Sequence, residues 1–241
     1  MKNSKGIGLH KQGLYIDKIK KINFGVPIEA IINKISYIKC TYEIIDYNYT
    51  QIINNNDGVE VNKDIEYKIR ILNNGRKEKL VLTKKFDKTG MNVIYFLIES
   101  KLNDLGFLFN NCTTLKLVDF VSFETDNVTN MKAMFQSCRK LEHLNFTNFN
   151  TSKVTNMVRM FNCCNKLKQI TGITNFCTSE VTNMKEMFQS CTELEDLDLT
   201  NFDISKVSDK ESIFNGCYKL KQIKNEKNFR IIILKMKHLF Y

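Results

Sequence analysis

VTNMKAMFQSCRKL (residues 128–141), VTNMVRMFNCCNKL (154–167) and VTNMKEMFQSCTEL (181–194) are nearly the same text. Val128, Val154, Val181 and Val207 stand 26, 27 and 26 residues apart. Met131, Met157 and Met184 recur in step with them, and so do Phe135, Phe161, Phe188 and Phe214. One period upstream lies a degenerate copy marked by Phe109, Cys112, Leu115 and Val118. The last copy is weaker. Lys210 stands at the methionine position, and the pattern fades after Ile223. About five repeats therefore run from Leu102 to Ile223, and internal repetition at this period signals stacked units that share one core.

Two periodicities alternate inside a repeat. Met131, Met134, Phe135 and Cys138 stand at i, i+3, i+4 and i+7, the spacing of one helical face. Thr129 or Asn130 is placed to cap that helix. Leu141, Leu144 and Phe146 follow as LxxLxF, whose last two positions alternate as in a strand. The expected fold class is α/β: a leucine-rich-repeat solenoid of about five 26-residue coils with a small N-terminal β-rich cap.

LEDLDLTNFDISKVSD (194–209) and FTNFNTSKVTNMVRMF (146–161) resemble the BspA-like leucine-rich repeats, in the variant found in mycoplasma surface lipoproteins and host-associated protists. The resemblance covers about residues 102–223. It implies a solenoid, surface adhesion in some members and no catalytic activity.

Residues 36–101 read differently, as a β-rich capping region. Ile65, Tyr67, Ile69 and Ile71 alternate, NNG follows at 73–75 and KLVLT resumes at 79, which predicts a β-hairpin. IKCTYEI (38–44) and NVIYFLI (92–98) predict two more strands. Residues 1–35 form a basic tail without a clean period, expected to be mobile, and residues 224–241 a divergent C-terminal tail.

The net charge of +10 is unevenly placed. Residues 1–40 hold 8 Lys against 2 acids, whereas residues 102–206 hold 10 bases against 12 acids, for −2. The basicity sits in the tails, and the five Arg (70, 76, 139, 159 and 230) are scattered. A nucleic-acid reader concentrates both on one folded face, so no nucleic-acid partner is expected. No stretch has the ~18–20 apolar residues of a membrane helix. The lack of a leader or anchor favours the cytoplasm, with the cell surface or secretion as the alternative that the resemblance implies.

Cys112, Cys138, Cys164, Cys191 and Cys217 form one column. Each closes an apolar face, where a free thiol is a small buried hydrophobe. The alternative is disulfide bridges between neighbouring coils. Stacked parallel side chains stay ~5 Å apart, more than the ~3.8 Å that bridged Cβ atoms prefer. There is no CxxC pair for zinc and no phosphate-cradling loop. His10, His143 and His238 have no catalytic partner in sight. No cofactor, metal or enzymatic activity is expected. The sequons at Asn48, Asn111, Asn127, Asn145 and Asn150 are accounted for by an Asn- and Thr-rich composition.

The variable positions carry what is left. Lys116, Glu142, Lys168, Glu195 and Lys221 alternate in sign down the stack, a device that favours one register. Asp119, Asn145, Thr171, Asp198 and Lys224 occupy the position inside the strand. With His143, Gln169, Asp196 and Gln222 they make a polar strip, the expected binding surface for another protein. The function read from the sequence is a non-enzymatic protein-binding scaffold. A truncated or decaying family member with only a structural role is the alternative, and an enzyme comes third.

Overall fold

The computed structural model describes residues 36–54, 56, 62–73, 76–225 and 229. The basic tail (1–35), Asn74 and Gly75 of the expected hairpin turn, and all of the C-terminal tail except Lys224, Asn225 and Phe229 lie outside the described residues.

The two longest strands come from residues 36–101. β1 (Tyr37–Ile44) alternates cleanly, with Ile38, Cys40, Tyr42 and Ile44 pointing into the core. β2 (Tyr49–Gln51) follows, then the short helix α1 (Lys63–Lys68), capped by the Asn62 side chain on the Asp64 N–H. β3 (Ile69–Asn73), β4 (Arg76–Lys79), β5 (Thr83–Lys85) and β6 (Gly90–Ile98) complete this part. The hairpin forms as β3–β4, but its alternating run does not begin at Ile65. Ile65 and Tyr67 lie on α1, because the Asn62 cap and the Asp64–Lys68 ion pair start a helix there. KLVLT does not continue the hairpin either. β4 ends at Lys79, and Thr83 pairs instead with Gln51.

Each repeat contributes one strand: β7 (Leu115–Val121), β8 (His143–Asn145), β9 (Gln169–Thr171), β10 (Asp196–Asp198) and β11 (Gln222–Lys224). β1 pairs antiparallel with both β6 and β7, and β7, β8 and β9 run parallel. One mixed sheet results, in the order β4-β3-β6-β1-β7-β8-β9. β10 and β11 form a separate parallel pair.

The expected α/β leucine-rich-repeat solenoid is overturned. The fold is β-rich, built on a seven-stranded mixed sheet, and within residues 102–225 the helical element is one 3-10 turn, Ile173–Asn175. The Met-Met-Phe-Cys face is laid out by consecutive tight turns instead of an α-helix. Ala133 and Ser137 sit at φ 53° and 61°, as do Arg159 and Cys163 at 56° and 58°. A left-handed residue every fourth position ends any helix. Alternate N–H groups then point out of the repeat. Those of Met131, Ala133, Phe135 and Ser137 donate to the carbonyls of Asn156, Val158, Met160 and Asn162 in the next repeat, at 2.9, 2.8, 2.9 and 2.7 Å. The ones between, on Met134, Gln136 and Cys138, donate three residues back. Asn130 does not cap a helix; its Oδ1 accepts from the Lys132 N–H and sets the first turn, as Asn156 and Asn183 do in their repeats.

The core lies between these turns and the strands. Phe109, Phe135, Phe161, Phe188 and Phe214 stack with ring centroids 5.4–6.1 Å apart, and each is fully buried. Phe229 packs on Phe214 at 5.6 Å, so the column runs past the point where the repeated text fades. Burying such a side chain contributes about 1.5–3 kcal/mol. That offsets the ~1–2 kcal/mol cost of each non-glycine left-handed residue.

The thiol column has a polar role as well. The Sγ–H groups of Cys138, Cys164, Cys191 and Cys217 donate to the carbonyls of Phe109, Phe135, Phe161 and Phe188, at 2.9–3.1 Å. A position that needs a small apolar body and a weak donor suits cysteine. All eight cysteines are free thiols.

Candidate functional site: the exposed strand face

Each repeat strand buries its central residue and exposes the two beside it. Leu144, Ile170, Leu197 and Ile223 face the core. His143, Asn145, Gln169, Thr171, Asp196, Gln222 and Lys224 are exposed, and Asp198 is half-buried. Parallel pairing in register sets His143 beside Gln169 and Asn145 beside Thr171, then Asp196 beside Gln222 and Asp198 beside Lys224. Asp119 is exposed on β7, opposite Lys39 of β1. The nine residues of the polar strip thus share one sheet face, but in two blocks separated between β9 and β10.

Local chemistry holds this face rigid. Asn145 Oδ1 accepts from the Thr147 N–H at 2.9 Å and its hydroxyl at 2.6 Å. Asp198 repeats the motif with Thr200, at 3.1 and 2.6 Å. Its other oxygen meets Lys224 Nζ at 2.9 Å. The Thr200 hydroxyl, then Lys224, hold the Asp198 carboxyl down at about 2. Two neighbouring pairs of the alternating column form ion pairs, Lys116–Glu142 at 3.4 Å and Lys221–Glu195 at 2.7 Å.

The break between the blocks has a single-residue cause. The repeat that begins at Val154 is one residue longer than its neighbours, and the extra residue falls at Gly172, between Thr171 and Ile173. Gly172 has φ 78° and lies against the previous repeat. A Cβ there would come within 2.5 Å of the Thr147 backbone nitrogen, so only glycine fits. After it the chain enters the 3-10 turn Ile173–Asn175, and β10 starts a new sheet. A shallow groove of about 470 Å³ opens there, and the strip residues His143, Gln169, Asp196, Asp198, Gln222 and Lys224 are among those that line it. The 27-residue spacing was the signal for it in the sequence.

A second feature escaped the sequence reading. On the same face, over the N-terminal strands, Tyr37 and Leu97 form a small cluster with Leu72, Tyr95 and Val121. Val93, Leu117 and Met91 lie on the same side and are exposed. The signal was in β6, GMNVIYFLI, which is apolar at both parities.

Among the described residues no group of three or more His, Cys, Asp or Glu is placed to hold a metal ion. His143 is exposed, and His10 and His238 lie outside the described residues. No helix of the described residues is long and apolar enough to cross a membrane.

The molecule is thus a β-rich protein whose repeated stretch stacks an apolar interior behind one polar strand face. The family model described as Mycoplasma protein of unknown function, DUF285, matches residues 103–229, more than half of the 241 residues, and the chain belongs to that family. No curated protein matches the chain, and no solved structure does.

Proposed function

We propose that the chain is a non-enzymatic protein-binding scaffold that recognises its partner through the exposed strand face. The observation that carries this reading is the division of labour along each strand. The central residue is buried and nearly constant in type (Leu144, Ile170, Leu197, Ile223), while the flanking exposed residues differ from repeat to repeat. A ligand surface meets side chains at ~4.8 Å intervals across paired strands, and these can change without disturbing the core. Within the family, the recurring LDLTNFDISKVSD-type text supports a narrower kinship with BspA-like proteins, some of which are adhesive.

The test begins by capturing a partner on the immobilised full chain. Alanine at His143, Gln169 and Thr171, exposed strip residues outside the turn hydrogen bonds and ion pairs of Asn145 and Asp198, should together abolish capture while leaving the thermal midpoint nearly unchanged, since such surface changes usually stay within about ±0.5 kcal/mol each. Alanine at Lys132, Arg159 and Lys185, on the turn side, should leave capture intact. The reverse pattern would place recognition on the turns and end this reading.

A further inference from the structure

We propose that residues 14–35 of the chain lie on the apolar patch of the N-terminal strands and cover it from the side opposite the core. The inference does not depend on the strand-face reading.

The patch is the outer layer of the sheet. Along β1 and β6, Ile38, Cys40, Ile94 and Phe96 turn inward, so Tyr37, Met91, Val93, Tyr95 and Leu97 turn outward. β7 and β3 bring Leu117, Val121 and Leu72 to the same side, through the pairs Thr41–Leu117, Tyr37–Val121 and Leu72–Tyr95. Exposure across this layer is graded. Tyr37 and Leu97, paired with each other, are 8% and 7% exposed. Tyr95, Leu72 and Val121 are half-buried, and Leu117, Val93 and Met91 are 40%, 46% and 51% exposed. The buried end is the one where the chain enters β1 from Ser36. Leu72, Tyr95 and Val121 pack against the buried pair. Side chains of one sheet layer stand side by side, roughly perpendicular to the strands, so they flank the pair without covering its top.

Residues 1–35 join the sheet at that end. Residues 14–35 hold 12 apolar residues out of 22, Leu14, Ile16, Ile19, Ile22 and Phe24 among them, against 3 in residues 1–13. From Leu97 to Met91 the patch is about 20 Å long, at ~3.3 Å per residue. The 22 residues cover that length whether coiled or extended. Tethered next to the patch, they meet it at an effective concentration on the order of millimolar. A second copy has no such advantage and needs about 20–30 residues a side for a stable contact, whereas the patch offers eight apolar side chains. Asp119, the first residue of the polar strip, lies between Leu117 and Val121 on β7. A partner that reaches past Asp119 must therefore displace the segment.

The experiment is photo-cross-linking of the full chain with p-benzoylphenylalanine in place of Val93 and, separately, of Leu117, both exposed positions. A mixture of isotope-labelled and unlabelled protein tells links within a chain from links between copies. Mass spectrometry should find links to residues 14–35 of the same molecule, at a yield unchanged on dilution. Ile16→Ser, Ile19→Ser and Ile22→Ser combined, with the thermal transition still cooperative, should lower that yield about tenfold, since each removes apolar surface from the contact. Links between copies would give the patch to a second copy and overturn the inference. So would links confined to residues 36–241, no link from either position, or an unchanged yield in the serine variant. None of these results bears on partner capture by the polar strip, which stands or falls by its own test.

Discussion

The N-terminal strands and the repeats satisfy their backbone by different routes. β1, β3 and β6 are five to nine residues long and exchange ladder bonds with antiparallel neighbours. A repeat has a strand of only three residues in four of its five copies, so the ladder leaves most of its backbone unpaired. The rest is satisfied by the turns, whose alternate N–H groups reach the next repeat. The first arrangement tolerates change at a strand edge. The second ties every repeat to its neighbours through backbone, thiol and phenyl columns at once, so damage in one column should spread.

The largest expected difference between the two regions lies in alkali. Burial pushes the thiols of Cys112, Cys138, Cys164 and Cys191 well above their ordinary range, and that of Cys217 up to about 12. In the N-terminal strands burial does the same to Cys40 and to the Tyr42 hydroxyl. A thiol raised in the folded state supports folding fully below its unfolded pKa of about 8.5 and loses that support as pH rises toward the folded value. Above pH 9 each column thiol should therefore cost about 1.4 kcal/mol per pH unit. Urea melts of the reduced protein at pH 8 and pH 10 measure it, with Cys164→Ala expected to flatten the dependence. Equal stability at both pH values would mean that the column is open to solvent.

Next comes the phenyl column. Phe161→Ala should cost about 3–5 kcal/mol and broaden the unfolding transition, because Phe161 touches both Phe135 and Phe188. A sharp transition at an unchanged midpoint would separate the repeats energetically and break the contrast drawn here.

β1 was legible because alternation sustained over its 8 residues has one structural meaning: Ile38, Cys40, Tyr42 and Ile44 all turn inward, whereas the same two-residue step at Ile65 and Tyr67 falls on α1. The three- and four-residue spacing of Met131, Met134, Phe135 and Cys138 has two. An α-helix and a run of tight turns both bring such residues to one side. What decides is the neighbouring repeat, which offers carbonyls to outward N–H groups, and hydrophobic periodicity does not record it. The hint available was local: Asn130, Asn156 and Asn183 recur where a turn needs a side-chain acceptor. The polar strip was legible residue by residue, since strand parity alone exposes His143 and Asn145 around Leu144. Its division was not, because a spacing of 27 in place of 26 shows an extra residue without showing that Gly172 parts two sheets.

The smallest effect is the most direct test of turns against helices. Ser137 sits at φ 61° and carries no core contact of its own, and Gly216 occupies the same place in the last repeat at φ 77°. In a left-handed turn, Ser137→Gly relieves the Cβ clash and should raise stability by about 0.5–1 kcal/mol. In a helix interior the same substitution should lower it by about 0.5 kcal/mol. A urea melt of Ser137→Gly beside the parent chain reads the sign: a higher midpoint is the result this account predicts, and a lower one would contradict it.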